Sequence, residues 1–119
     1  MNLTGKCKID FEKWLNSKEE FIKIHDLLNI EIDLRNIYIF DKLNNSMKYG
    51  VYLDFFDSVG MMIELQLHVN PTMQGGSFKC IRPAIFSDGR FHNVGASFGT
   101  RERARAASIK KANEIYNLK

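Results

Sequence analysis

The start of the chain places apolar side chains at helical spacing behind two polar start signals. Asp10 is suited to the N-cap of a first turn. Ser17 and Glu20 form a capping box, with the serine at N-cap and the glutamate at N3. We therefore predict a helix over residues 10–28, with a kink near Asn16. Its apolar positions are Phe11, Trp14, Leu15, Phe21, Ile24, Leu27 and Leu28.

Residues 30–40 fit two patterns. Ile30, Ile32 and Leu34 alternate as in a strand, whereas Ile30, Leu34 and Ile37 fall on one side of a helix. The β-branched content favours the strand. The six residues that follow include two adjacent asparagines and are predicted to form a loop.

The segment 46–59 also carries both periodicities, because apolar residues recur at every second position and at every fourth. Ser46 is a favourable N-cap, and Gly60 is a favourable stop at C′. These end signals favour a helix over 46–59. The alternating series is Met47, Tyr49, Val51, Leu53 and Phe55, and the four-residue series is Met47, Val51, Phe55 and Val59.

Three strands are predicted next. In 61–69, the apolar residues Ile63, Leu65, Leu67 and Val69 alternate with Glu64, Gln66 and His68, which is typical of a half-buried antiparallel strand. The second strand is predicted over 77–86, where Pro83 indicates an edge or a bulge. The Asp-Gly pair at 88–89 is a hairpin turn signal, and 90–98 forms the third strand.

Thr100 is predicted to cap a final amphipathic helix that reaches residue 117. Small and apolar residues share one side of it, which allows it to pack closely on the sheet beside the 46–59 helix. That side carries Ala104, Ser108, Ala112 and Ile115, with Ile109 and Tyr116 beside them. The opposite side carries Glu102, Arg103, Lys110, Asn113 and Glu114.

The predicted fold class is α+β, in a single domain of residues 1–119. An N-terminal helical extension, 1–45, precedes an α-β-β-β-α core, 46–119, in which a three-stranded antiparallel sheet packs against two helices. Hydrophobic residues make up 45% and charged residues 26% of the 119, as expected of a globular chain.

The sequence predicts a cytoplasmic protein with no membrane partner. Cys7 and Cys80 are far apart in no metal or redox motif, so we expect reduced structural thiols. No apolar run follows the first basic residues as in a signal peptide, and none approaches the roughly 18 residues of a membrane span.

The charge is uneven along the chain. Residues 1–60 contain 8 Lys/Arg and 10 Asp/Glu, a balance of −2, whereas residues 61–119 contain 9 and 4, a balance of +5. The C-terminal part is therefore the one that an anionic partner would contact.

From residue 46 onward the predicted order, and several residues, resemble the double-stranded RNA-binding domain. Phe78 lies early in the second strand after a Gly-bearing loop, and residues 95–108 look like that family's small-residue lead-in, hydroxyl cap and Ala-rich helix. In the family, a pair of lysines at the helix start and a third one turn later bind phosphates. The matching positions, one of which is acidic here, are Arg101, Glu102 and Arg105.

A second resemblance is more literal. Residues 46–51, 54–60 and 100–117 are similar to small uncharacterised proteins carried by phages and mobile elements of Bacteroidetes-type bacteria. This resemblance implies a mobile-element context and assigns no chemistry.

The best candidate site is the start of the final helix, where free N–H groups and the helix dipole favour an anion. Arg101 and Arg105 lie one turn apart and project together, and Arg103 lies on another side of the same turn. The competing interpretation pairs these arginines with Glu102, Asp54 or Asp57, or has their stems cover apolar surface. Residues that extend the basic patch across the sheet would be Lys79, Arg82 and Arg90.

Other chemistries have weaker signals. Phe78, Phe86, Phe91 and Phe98 could stack bases of single-stranded nucleic acid, although most are expected in the core. His68 and His92 could meet across strands, but their spacing is not that of metal ligands. Asp57 and Glu64 resemble the carboxylates of a metal-dependent nuclease, but the lysine of that motif is replaced by Gln66. We expect no metal, no cofactor and no enzymatic activity.

Two hypotheses follow. The first is a non-enzymatic, stoichiometric binding protein that binds nucleic acid or a nucleoprotein, which includes antagonism of a bacterial defence system such as CRISPR. The second is a protein-interaction or homodimerisation module, with its apolar contact on the 10–28 helix or the 30–40 segment.

Overall fold

The fold is α+β, as predicted, with helices at both ends and a three-stranded antiparallel sheet between them. The computed structural model describes residues 1–18, 35–71, 75 and 77–119. From the third described helix onward, the order α-β-β-β-α is confirmed. The elements are α1 (Gly5–Asn16), α2 (Arg35–Lys42), α3 (Asn45–Ser58), β1 (Met62–Pro71), β2 (Ser77–Ser87), β3 (Arg90–Asn93) and α4 (Arg101–Asn117).

Helix α1 begins earlier than the sequence predicts. It starts at Gly5 rather than at Asp10. Gly5 has a φ of +61°, and a Cβ added there would lie 3.1 Å from Asn117 Nδ2. Asp10 lies inside the helix, and its carboxylate accepts a hydrogen bond from the Tyr116 hydroxyl (2.7 Å). The helix ends at Asn16, and the predicted continuation over 19–28 lies outside the described residues.

The strand predicted over 30–40 is wrong for its second half, because residues 35–42 form α2; residues 30–34 lie outside the described part. Packing explains the difference. The buried Phe40 ring lies 5.1 Å from that of Phe11 and 5.2 Å from that of Tyr52, between centroids. A helical turn delivers Phe40 to this aromatic core, so tertiary contact overrides β propensity. The predicted loop shrinks to Leu43 and Asn44.

Helix α3 is confirmed, with a different cap. The Asn44 side chain, rather than Ser46, accepts the capping hydrogen bond, from the Met47 N–H (2.9 Å). Gly60 adopts φ +82° just beyond the end, as predicted for a stop. Met47 of the four-residue series is 56% exposed. The buried residues of α3 are Tyr49, Tyr52, Phe55 and Phe56.

The sheet has the order β1-β2-β3, and its register divides its side chains between two faces. Odd-numbered residues of β1 and β2, with even-numbered residues of β3, form what we call the inner face, where Ile85 and Pro83 are buried beneath α3 and α4. The open face, on the opposite side, carries the even-numbered residues of β1 and β2 and the odd-numbered residues of β3. The exposed and half-buried members of the open face are Met62, Glu64, Gln66, His68, Arg82, Ala84, Phe86, Phe91 and Asn93.

Strand β1 keeps the predicted alternation but loses its cover halfway along. Ile63 and Leu65 pack against the core, whereas Leu67 and Val69 are 62% and 53% exposed. The prediction that all four are half-buried is therefore wrong for the last two. The β1–β2 hairpin runs beyond the helices, and the molecule measures 60 × 30 × 19 Å.

Pro83 lies in the central strand and not at an edge of the sheet. Ile81 exchanges backbone hydrogen bonds with Phe98 (2.8 and 2.9 Å), so its N–H points toward the β3 side. The backbone nitrogen of Pro83, two residues further along the strand, also faces the β3 side. Because β3 ends at Asn93, the missing N–H of Pro83 removes no hydrogen bond from the sheet. The third strand is accordingly shorter than predicted, and Phe98 alone rejoins β2.

The turn between β2 and β3 is confirmed. Asp88 and Gly89 have φ of +55° and +79°, as a two-residue type I′ hairpin requires. The cap of α4 is also confirmed, since Thr100 Oγ1 accepts a hydrogen bond from the Arg103 N–H (3.3 Å). Ala104, Ser108 and Ala112 are buried, as predicted.

Asn113 is buried, contrary to its predicted place on the exposed side of α4. Its side chain accepts a hydrogen bond from the Thr4 N–H and donates one to Thr4 Oγ1, both at 2.9 Å. Asn117 donates to the Thr4 carbonyl (2.9 Å) and accepts from the Cys7 N–H (2.8 Å). Two asparagines of α4 thus satisfy the free backbone groups at the start of α1. We call these two residues with Thr4 the clasp.

Candidate nucleic-acid interface

The arginines of α4 divide into one anchored side chain and two exposed ones. At about 100° per residue, Arg101 and Arg105 lie on the side of α4 that carries Ser108, and Arg103 lies opposite. The prediction that Arg101 and Arg105 share one side agrees with this arrangement. Only Arg105 reaches the protein surface beneath it.

Arg105 serves packing. Its guanidinium carbon lies 5.2 Å from the centroid of the Tyr49 ring, and its Nη1 donates to Ser46 Oγ (3.4 Å). Its Nε is buried without a hydrogen-bond partner among the described residues. Burial raises the pKa of Tyr49, and this rise is opposed by a hydrogen bond with Ser108 and by the Arg105 charge. The competing interpretation, in which an arginine covers apolar surface, therefore holds for Arg105.

Arg101 and Arg103 are exposed on either side of Glu102. Asp54 and Asp57, the other predicted carboxylate partners, form no ion pair with these arginines within the described ranges. The two guanidinium groups are therefore available to an external anion near the first turn of α4.

The three cations of the sheet do not extend this group as one patch. Arg82 lies on the open face, and its Nε donates to Ser97 Oγ (3.0 Å) beside the segment that leads into α4. Lys79 and Arg90 stand at inner-face positions opposite Val69 and Ser87. Those two sites are eight residues apart along β2, or about 26 Å. Lys79 and Arg90 therefore do not form one patch with Arg82 on the open face.

Of the phenylalanines named as candidates for base stacking whose side chains the structure describes, Phe91 is the one with a mostly exposed ring. Phe91 is 69% exposed on the open face, beside the half-buried Phe86 at 5.1 Å between ring centroids. Phe98 is half-buried, and the Phe78 side chain lies outside the described set. The turn at 88–89 contains the missed signal, because a two-residue hairpin places Phe86 and Phe91 directly opposite each other.

A shallow hollow of about 500 Å³ lies at this point of the open face. Phe86 and Phe91 form one wall, and Glu64 supplies the carboxylate of the lining. The remaining lining residues are Met62, Ile63 and Ala84. An exposed apolar hollow with aromatic walls is suited to a flat, apolar ligand surface.

The residues weighed for metal or acid–base chemistry are separated. His68 stands opposite Cys80, whereas His92 stands opposite Ile85, so the two histidines occupy different faces and do not meet as predicted. Asp57 and Glu64 are both exposed. Within the described part of the chain, no three His, Cys, Asp or Glu side chains gather to hold a metal ion.

The two thiols are free and buried. Burial, with a smaller contribution from the Asp10 charge, raises the pKa of Cys7 to about 12, so this thiol stays protonated. None of the described helices combines the length and apolar character needed to cross a bilayer.

Comparisons with protein-family models, with curated proteins and with solved structures found no match for this chain.

Proposed function

We propose that this is a non-enzymatic binding protein that holds single-stranded nucleic acid on the open face of its sheet. The observation that carries the proposal is the exposed Phe91 ring, with the half-buried Phe86 ring beside it. A phenylalanine that is more than half exposed leaves a large apolar surface in water. A stacked base would cover that surface and contribute roughly 1–3 kcal/mol, whatever the base.

The cations around the platform suit a phosphate backbone. Arg82 lies on the same face of β2 as Phe86, four residues or about 13 Å away. The Arg82 guanidinium donates to Ser97 Oγ, in the segment that leads from β3 to the exposed Arg101 and Arg103. Cations along a groove beside an aromatic surface are the usual arrangement for single strands.

The nucleoprotein form of the proposal, including antagonism of a defence complex such as CRISPR, draws on the similarity to phage proteins. The same platform would then contact an exposed strand inside the complex. Its chemical requirement is unchanged, since both forms need a base on Phe91 and phosphates near Arg82.

The test is fluorescence anisotropy with a labelled single-stranded oligonucleotide. Phe91→Ala should weaken binding on the order of 10- to 100-fold, because one stacked base is lost. Arg82→Ala should reduce the slope of log affinity against log salt by about one. Tyr38→Ala is the matched control, since Tyr38 is an aromatic residue on α2 that is 48% exposed and lies away from the sheet.

Unchanged binding in both Phe91→Ala and Arg82→Ala would remove the platform from the proposal. Binding lost only in Arg101→Glu with Arg103→Glu would place the site at the start of α4 instead.

A second candidate, a protein-interaction module, is favoured by the apolar hollow itself. Met62 is 62% exposed beside Phe91, and a partner's apolar side chain would cover both. If no oligonucleotide binds and Phe91→Ala abolishes a salt-insensitive protein complex, this candidate replaces the first.

A further inference from the structure

The outer edge of β1 is long and unguarded. In the part of the chain that the structure describes, β1 pairs only with β2, and its ten residues are the longest strand at a sheet edge. Soluble proteins usually protect such an edge with lysine, proline or a bulge. Between Met62 and Val69 the only Asp, Glu, Lys or Arg is Glu64, and Leu67 and Val69 are more than half exposed.

The hydrogen-bond pattern of the sheet fixes which backbone groups face outward. Because Ile81 bonds toward Phe98, it forms no ladder bond with Leu67, its opposite residue on β1. The N–H and C=O of Leu67 therefore point away from β2. The same follows for the other odd-numbered residues of β1, and Pro71, which has no N–H, ends this row. The outward-facing set is Ile63, Leu65, Leu67 and Val69.

We infer that two copies of the chain pair through this edge, antiparallel, with Gln66 opposite Gln66 of the second copy. Leu65 then lies opposite the second copy's Leu67, and all the outward-facing backbone groups find partners. This inference does not depend on the proposed nucleic-acid binding, since it uses the edge of the sheet rather than its open face.

The two halves of β1 are complementary in this register. Ile63 and Leu65 lie beneath the helical layer, whereas Leu67 and Val69 are 62% and 53% exposed in their own copy. The pairing sets the uncovered half of one strand beside the covered half of the other. The helices of each copy thus adjoin the apolar side chains that the other copy leaves exposed, and no helix lies opposite a helix.

The polar side chains select the same register. Glu64 comes opposite the second copy's His68, twice in each dimer, so a carboxylate meets an imidazole N–H donor. In one copy, the contact of Glu64 within the described residues is a long hydrogen bond from the Gln66 amide (3.4 Å). A shift of two residues either way places His68 opposite Met62 or Gln66 and leaves Glu64 without an imidazole. A second copy is therefore a better fit to this edge than an unrelated strand.

Cross-linking tests the register directly. Gln66→Cys should form a disulfide between copies under mild oxidation, because residues directly opposite across two strands have Cα atoms about 4.5–5.5 Å apart, within the range of a disulfide. Glu64→Cys is the matched control. It is also exposed on the open face, but two copies of it would be four residues out of register, about 13 Å apart.

A charge exchange tests the same pairing in solution by sedimentation velocity. E64K and H68E should each weaken self-association on the order of tenfold. E64K places an unmatched cation opposite the second copy's His68, and H68E places two carboxylates opposite each other. An equimolar mixture of the two variants should restore dimers, since only the mixed dimer matches every charge. Leu67→Arg, at a side chain already exposed in one copy, should abolish dimers while circular dichroism stays unchanged.

A wild-type chain that sediments as a monomer at high micromolar concentration would overturn the inference. So would equal cross-linking of Gln66→Cys and Glu64→Cys, or dimers that are unaffected by Leu67→Arg. Loss of oligonucleotide binding in Phe91→Ala with dimers intact would leave the inference standing and test the proposed function alone.

Discussion

The two halves of β1 have the same apolar–polar alternation and different surroundings. Ile63 and Leu65 contact the core beneath the helices, whereas Leu67 and Val69, on the same face of the same strand, are mostly exposed. Alternation indicates which side chains share a face of a sheet. It does not indicate how far the covering layer reaches, because that length is set by α1, α3 and α4.

Local signals were sufficient where a few neighbouring residues decide the structure. The Thr100 cap, the turn at 88–89 and the stop at Gly60 all act within one turn, and each was predicted correctly. The strand predicted at 30–40 failed over α2 because Phe40 packs against Phe11, a residue remote in sequence. Distant contacts of this kind leave no local pattern.

The candidate site, like the fold, could be predicted from the sequence only in part. The arginines of α4 follow from the sequence, but the engagement of Arg105 with Tyr49 depends on how α3 and α4 cross. The exposure of Phe91 could not be predicted either. An aromatic residue in a strand is usually buried, whereas this one is 69% exposed on the face opposite the described helices.

Shortening one side chain beneath the helices and one in the exposed half of β1 tests directly whether the two regions differ in their contribution to stability. Ile85→Ala, under the helices at 0% exposure, should cost about 2–5 kcal/mol of unfolding free energy through lost burial and a cavity. Leu67→Ala should change it by no more than about 0.5 kcal/mol. Urea denaturation measures both, at concentrations where the chain is monomeric. Equal losses would mean that the outer half is also covered in solution.

The clasp tests what holds the covering layer in place. Asn113→Ala should cost about 1–3 kcal/mol, because it removes both hydrogen bonds between the buried Asn113 side chain and Thr4. Asn93→Ala, an exposed asparagine on the open face, serves as the control and should leave the urea midpoint unchanged. A small loss in Asn113→Ala would show that α1 docks through its apolar side chains alone.

The dependence of stability on alkaline pH tests whether water reaches the buried side chains around Cys7. The folded state keeps Cys7 protonated to a pKa of about 12, whereas the unfolded thiol ionises near its ordinary value of 9.0. The unfolded state therefore binds fewer protons between these values, and stability falls as pH rises through that window. Tyr52 and Tyr116, whose pKa values burial raises to about 12 from 10.0, act in the same direction at higher pH.

Cys7→Ala should flatten this decline between pH 9 and 10 by up to about 1.4 kcal/mol per pH unit, the effect of one proton. Chemical denaturation at several pH values measures the slope, and Cys80→Ala provides the comparison. An identical slope in Cys7→Ala and the wild-type chain would indicate that water reaches Cys7 in the folded state.

The clasp also has a consequence for protein synthesis. Thr4 and its partner Asn113 are separated by 109 residues, so α1 leaves the ribosome long before the helix that fixes its first turn. At translation rates of about 5–20 residues per second, the interval is roughly 5–20 s. During it, Leu3, Cys7 and Phe11 lack the α4 side of their eventual surroundings. The nascent chain thus leaves these side chains of α1 open to chaperones and proteases until α4 has emerged.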